Sequence, residues 1–216
     1  MSAAASPSPR PDAIHTALRD SIISGREAPG SAITESAVAL RFGVTRPTAK
    51  LALERLVSDG LLRREPHHAA RVPELTADDI RDLFDHRALV EGSAATALAR
   101  IGAVPAAAVA AQRELRAGHG DFAHDDIAFH RALVAGQPSA RLTRMHELLM
   151  GEVELCIGQV QAHRLLEAHQ VAEQHQRILD AITASDPAAA ERLTHQHIEG
   201  ARDALLAHLA QSNGAD

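Results

Sequence analysis

From Thr76 to about residue 210, apolar residues recur at helical spacing almost without a break. An apolar stripe of that period can be buried only by packing helix against helix, so this stretch is confined to an all-α arrangement. Gly, Pro and Ser interrupt the pattern near 102–105, 118–120, 136–139 and 185–187. They predict about six helices, over 76–100, 105–117, 121–135, 139–162, 167–184 and 187–210. Composition agrees, because the 45% hydrophobic content is drawn mainly from Ala, Leu, Ile and Val, with no Trp, no Tyr and four Phe. Small aliphatic side chains suit close-packed helices better than a β-sandwich.

The first third reads differently. DAIHTALRDSIISG sets Ile14, Ala17, Leu18, Ile22 and Ile23 on one stripe, with Asp12 as N-cap and Gly25 as stop. After the break at Ala28-Pro29-Gly30, Thr34 opens a short helix that ends at Gly43. Thr45 caps a third helix, RPTAKLALERLVSD, with Pro47 early, where its missing N–H costs nothing, and Ala49, Ala52, Leu53, Leu56 and Val57 inward. Segments 61–65 and 70–73, separated by Pro66-His67-His68, read as a small hairpin. Two short helices joined at Gly43-Val44 and followed by a hairpin are the parts of a winged helix-turn-helix. Its second helix would enter the major groove of double-stranded DNA by its N-terminal end, where Arg46, Thr48 and Lys50 offer donors and a hydroxyl.

A net charge of −6 argues against a nucleic-acid partner only as an average. Residues 10–73 hold ten Lys+Arg against seven Asp+Glu, leaving twelve against twenty-one elsewhere. The basic charge lies with the proposed reading head, as phosphate binding requires.

The segment PGSAITESAVALRFGVTRPTAKLALERLVSDGLL resembles the signature of the GntR family of transcription regulators, and the helical remainder resembles its FadR-type branch, with a C-terminal effector domain (FCD). The resemblance covers residues 12 to about 210. It implies a winged helix-turn-helix over 12–74 and an all-α effector-binding and dimerisation domain over 75–210; outside it, 1–11 and 211–216 read as disordered tails. It places DNA contacts at Ser36, Thr45, Arg46, Thr48 and Lys50, and on the wing at His68 and Arg71. Two departures stand out. Lys50 occupies the place of a usual Arg and lacks its planar fork, and Ala69 replaces a common wing glycine.

Fourteen histidines direct attention to metal chemistry. Asp126 and His130 are four apart and share one helical face. His175 and His197 lie eleven residues to either side of Asp186, at the turn joining two helices that should pack antiparallel. At about 1.5 Å per residue both stand roughly 16 Å from that turn, at equal height. The FadR-type resemblance implies a divalent metal at the same Asp126, His130, His175 and His197. Zn²⁺, Ni²⁺ and Mn²⁺ all suit such a set. The alternative is a group of buried polar side chains that satisfy one another. His124, Asp125, His169 and His195 flank the set and read as solvated. Arg87 stands where this branch places an anion-binding Arg, although an i,i+4 pair with Glu91 serves equally well. Gln137 replaces the usual Asn.

These readings predict a cytoplasmic, homodimeric, ligand-responsive regulator, a repressor by the commoner pattern of the resembled family. Its partners would be an operator and a small carboxylate metabolite. A metal-dependent hydrolase and a metal sensor are the alternatives. The single cysteine, Cys156, excludes an internal disulfide and a Cys-rich zinc finger, and its apolar helix suggests core packing. No apolar run approaches the length of a membrane span, and no signal peptide is evident.

Overall fold

Helix α1 (Pro11–Ile23) begins with Pro11, whose fixed φ suits a first helical turn. The expected cap Asp12 instead lies inside that turn, where its carboxylate pairs with Arg55. In this computed structural model, which describes residues 10–118, 122–159 and 167–213, the chain divides into two units, Met1–Glu74 and Leu75–Asp216. Pro11 belongs to a helix rather than to a tail, and the rest of the expected N-terminal tail, apart from Arg10, lies outside the described residues.

In the first unit, strand β1 (Ala32–Ile33) leads into α2 (Glu35–Phe42) and α3 (Arg46–Ser58). Thr34 caps α2 by accepting the Ala37 N–H at 3.2 Å, and Gly43 ends it in the left-handed region at φ 64°. Thr45 caps α3 by accepting the Thr48 N–H at 3.4 Å. Ile14, Leu18, Ile22, Val38, Ala49, Leu53 and Leu56 close the three helices over one core.

The hairpin differs from its prediction. Strand β2 (Ala70–Arg71) pairs antiparallel with β1, and segment 61–65 reaches it through a single bridge between Arg63 and Arg71. Only the two backbone bonds of that bridge, 2.9 and 2.8 Å, join the expected arms. A two-residue strand such as β1 carries no alternation for a sequence pattern to reveal.

The second unit comprises α4 (Ala77–Arg100), α5 (Ala106–Ala117), α6 (Phe122–Ala135), α7 (Ala140–Gln159), α8 (Ala168–Thr183) and α9 (Pro187–Asn213). Residues 211–213, expected as tail, continue α9; 160–162, expected to end the fourth bundle helix, lie outside the described residues. Thr76 and Asp79 form a capping box at the start of α4. Helix α4 packs along α9, α8 against α9, and α6 against α5 and α7.

Two large apolar clusters and a small third one, of Leu115, Val171 and Ala172, fill the bundle. Ile80, Phe84, Ile127, Val153, Cys156 and Ile198 belong to the first, and Leu98, Phe129, Leu133, Ile178 and Ile182 to the second. On α4, Glu91 falls between Ala88 of the first cluster and Ala95 of the second, Arg87 stands one turn earlier beside Ala88, and both are buried. Beyond α6, a Cβ at Gly136 would lie 2.2 Å from Cγ of Pro105, a rigid ring. Gly136→Ala is therefore expected to destabilise this unit by about 1–3 kcal/mol, the usual cost of overpacking, read as a lowered urea midpoint.

Candidate metal centre and DNA-reading head

Helix periodicity brings Asp126 and His130 to one face of α6, and the turn at Asp186 sets α8 beside α9 with His175 opposite His197. All four residues are buried, and one ligand atom from each lies within 4.8 Å of the others. The histidines converge by the same nitrogen. Nε2 of His197 is 3.3 Å from Nε2 of His175 and 3.2 Å from Nε2 of His130. Asp126 Oδ1 stands 3.4 Å from His175 Nε2 and 3.6 Å from His130 Nε2.

The opposite ring edges explain that orientation. His130 Nδ1 lies 2.5 Å from Glu91 Oε2, and His197 Nδ1 lies 2.7 Å from Gln174 Oε1. A carboxylate can only accept, so Glu91 assigns a proton to His130 Nδ1, and Gln174 Oε1 as placed assigns one to His197 Nδ1; in the neutral form of each ring the lone pair is then on the inward Nε2. His175 Nδ1 is buried without a hydrogen-bond partner, and the ring stacks on Phe129 at 3.7 Å between centroids.

Inward lone pairs about 3.2 Å apart repel unless a cation lies between them. Ligands about 2.0–2.2 Å from one ion are separated by roughly 3.0 Å at right angles and about 3.5 Å at the tetrahedral angle. The four short separations fall in or next to that range, so the donor set fits a divalent metal. His124, Asp125, His169 and His195 stay outside the set. His124 and His169 are exposed, His169 beside Glu173, and His195 lies over Gly92 of α4.

Glu91 and His146 escaped notice as site residues. Glu91 Oε1 accepts from Arg87 Nε at 2.7 Å and from His146 Nε2 at 3.0 Å, while Oε2 accepts from His130. The signal for His146 was available: it precedes Met150 and Val153 on the buried stripe of α7, a polar residue at a core position. For Arg87, the Glu91 pair is realised, yet its Nη2 is buried and unpartnered. Gln137 serves a local turn, both accepting from Ser139 N–H and donating to Ser139 C=O.

Burial by itself would raise the Glu91 pKa, but Arg87 and His130 outweigh it and hold this carboxyl well below the usual range. Asp126 is likewise lowered against burial, chiefly by His130. Burial and Arg87 disfavour protonated His130, and the two carboxylates reverse this and raise it. Burial, then neighbouring histidine charge, pushes His175 well below its ordinary value and His197 down to about 3. Burial lifts the Cys156 thiol to about 12, an inert core group.

In the reading head, Ser36, Thr45, Arg46, Lys50, His68 and Arg71 are exposed and Thr48 is half-buried. Thr45 and Thr48 hydroxyls are paired at 2.9 Å, and Lys50 lies 3.6 Å from Glu54. Arg71 donates to the Gly30 carbonyl at 2.9 Å. At the wing tip the left-handed residue is His67, at φ 64°, so Ala69 is spared the conformation a glycine would serve.

Two family models match the chain. Residues 11–72 match bacterial regulatory proteins of the gntR family, and residues 82–200 match the FCD domain. The chain belongs to the GntR family of transcription regulators. It is 30% identical over 200 residues to the "Probable D-xylose utilization operon transcriptional repressor" of Paenarthrobacter nicotinovorans, covering 89% of this chain and 85% of that protein. The gluconate operon transcriptional repressor of Bacillus subtilis is 24% identical, covering 86% and 81%. Among solved structures, a transcriptional regulator GntR from Rhodococcus sp. RHA1 superposes with a TM-score of 0.72 at 25% identity, covering 91% of this chain and 97% of that one. These relatives are regulators rather than enzymes, which sets aside the hydrolase alternative. No described helix is long and apolar enough to cross a membrane.

The shifts fix a pH response. His175 and His197 are protonated more readily unfolded than folded, so each withdraws stability as pH falls below about 6.5. For His197 the loss accumulates until about 3, where the folded state also protonates. His130, raised, works in the opposite sense and offsets part of it. In metal-free protein, the second unit should lose stability from pH 6.5 towards 4, and His197→Gln should flatten that slope in urea titrations.

Proposed function

We propose that this GntR-family member is a cytoplasmic, ligand-responsive repressor that binds its operator as a homodimer and senses a small organic acid at a metal-containing pocket. The convergence of Asp126, His130, His175 and His197 on one point carries the reading. These four would hold a Zn²⁺, Ni²⁺ or Mn²⁺ ion. When bound, the ion supplies a Lewis-acidic centre to which a carboxylate can coordinate. Arg87 is the second anchor, because its Nε is committed to Glu91 while its Nη2 remains free for an anion. That free donor favours an organic effector over a sensor in which the metal alone is the signal. The relatives named as repressors of sugar and gluconate operons support repression as the mode.

Arg46, Thr48 and Lys50 on α3 would meet DNA in the major groove, Ser36 and Thr45 its backbone, and His68 and Arg71 the wing side. One such head buries too little surface for operator specificity, and two on a symmetric site suffice. Leu89 on α4 and Met145 on α7 leave apolar surface, 63% and 60% exposed, for a second copy to cover.

Protein purified from metal-replete cells should carry about one divalent ion per chain by elemental analysis, and His175→Ala should lose it. Metal-free wild type would count against the centre. On a site located by genomic binding-site mapping, Arg46→Ala should abolish specific gel-shift binding; unchanged affinity would remove α3 from the reading role.

A further inference from the structure

Glu91 touches none of the atoms that converge at the cluster, yet it is the most completely partnered carboxylate beside it. Its side chain is fully buried and takes three donors from three helices, Arg87 of its own α4, His130 of α6 and His146 of α7. Resting on the metal reading above, we infer that Glu91 is a positioning residue for the metal centre: by accepting the Nδ1 proton of His130 it holds the Nε2 lone pair of that ring toward the metal. Outer carboxylates that orient a ligating imidazole fix its tautomer and raise its basicity.

The donor arithmetic makes the role specific to a carboxylate. Arg87 Nε–H can only donate, and it occupies Oε1; His130 Nδ1 occupies Oε2. Both oxygens must therefore accept. A glutamine at position 91 has the same shape but one oxygen and one amide N–H₂ group. Its oxygen goes to the charged Arg87, and its amide donor is left facing His130 Nδ1. That nitrogen must then accept, which moves the imidazole proton to Nε2, the atom facing Asp126 and His197. A protonated Nε2 has no lone pair to offer a metal.

The test uses full-length protein stripped of metal and titrated with Zn²⁺ against a chromophoric chelator at neutral pH. Glu91→Gln is expected to weaken Zn²⁺ affinity about 10–100-fold. Gly136→Ala, destabilising but changing no residue of the cluster or of the Glu91 network, is expected to bind Zn²⁺ like wild type. Wild-type affinity in Glu91→Gln, or an equal loss in both variants, would overturn the assignment. Whether or not Glu91→Gln folds, the imidazole nitrogens of metal-free wild type are read independently by ¹⁵N NMR at alkaline pH. A His130 proton on Nδ1 supports the proposal, and one on Nε2 overturns it whatever the variant does. Wild type that fails to bind Zn²⁺ defeats the metal reading itself, and the NMR result still decides whether Glu91 sets the tautomer.

Discussion

A carboxylate with no access to water at the centre of a helical bundle stays charged only if donors replace the water it has lost. Glu91 meets that demand with a guanidinium and two imidazoles, and meeting it dictates much around it. Arg87 must stand one turn earlier on α4, α6 must present His130 edge-on, and α7 must turn His146 inward. The apolar clusters to either side exclude solvent, so the interaction is strong and its geometry narrow. His130 joins this network to the Asp126, His175 and His197 set, which makes the two polar groups one continuous layer through the bundle.

The sequence makes most of the bundle legible because its signals are local. Gly/Pro/Ser punctuation and the 3.6-residue period place the six helix spans to within a few residues wherever the chain is described. His175 and His197 could be paired through counting from a turn, since two straight helices leaving one corner keep equal heights. What stayed hidden depends on long-range partners. β1 is two residues long and exists only because β2 lies beside it. His146 looked like one histidine among fourteen, and only the burial of its stripe on α7 distinguishes it. Glu91 could be seen as a partner for Arg87 from its spacing, but not as a partner for His130, 39 residues away in sequence.

The reading head and the bundle achieve order by different means. In the first unit, Thr34 and Thr45 cap two successive short helices and Gly43 turns the chain between them, so local bonds set the angle at which α3 is presented. Its exposed basic groups are left to the surface. The bundle instead turns its distinctive polar groups inward and spends its hydrogen bonds on them. A chain with net charge −6 can carry both because the charge is segregated, basic residues with the head and acidic ones with the bundle.

That segregation bears on control. A ligand shifts an equilibrium only by binding its two states unequally. Within the bundle, the groups proposed for an anionic effector, the unpartnered Nη2 of Arg87 and the converging Nε2 atoms, are linked to one another through Glu91. An anion drawn to Arg87 competes with Glu91 for the same guanidinium charge, and any loosening of Glu91 is felt at His130. Both anchors and their carboxylate depend on α4, the first helix of the second unit, whose capping box at Thr76 follows the unit boundary at Glu74 by two residues. On the proposed reading, differential affinity would act on α4, which is held by the polar layer at Arg87 and Glu91 and continues, by covalent connection, from the DNA-reading unit.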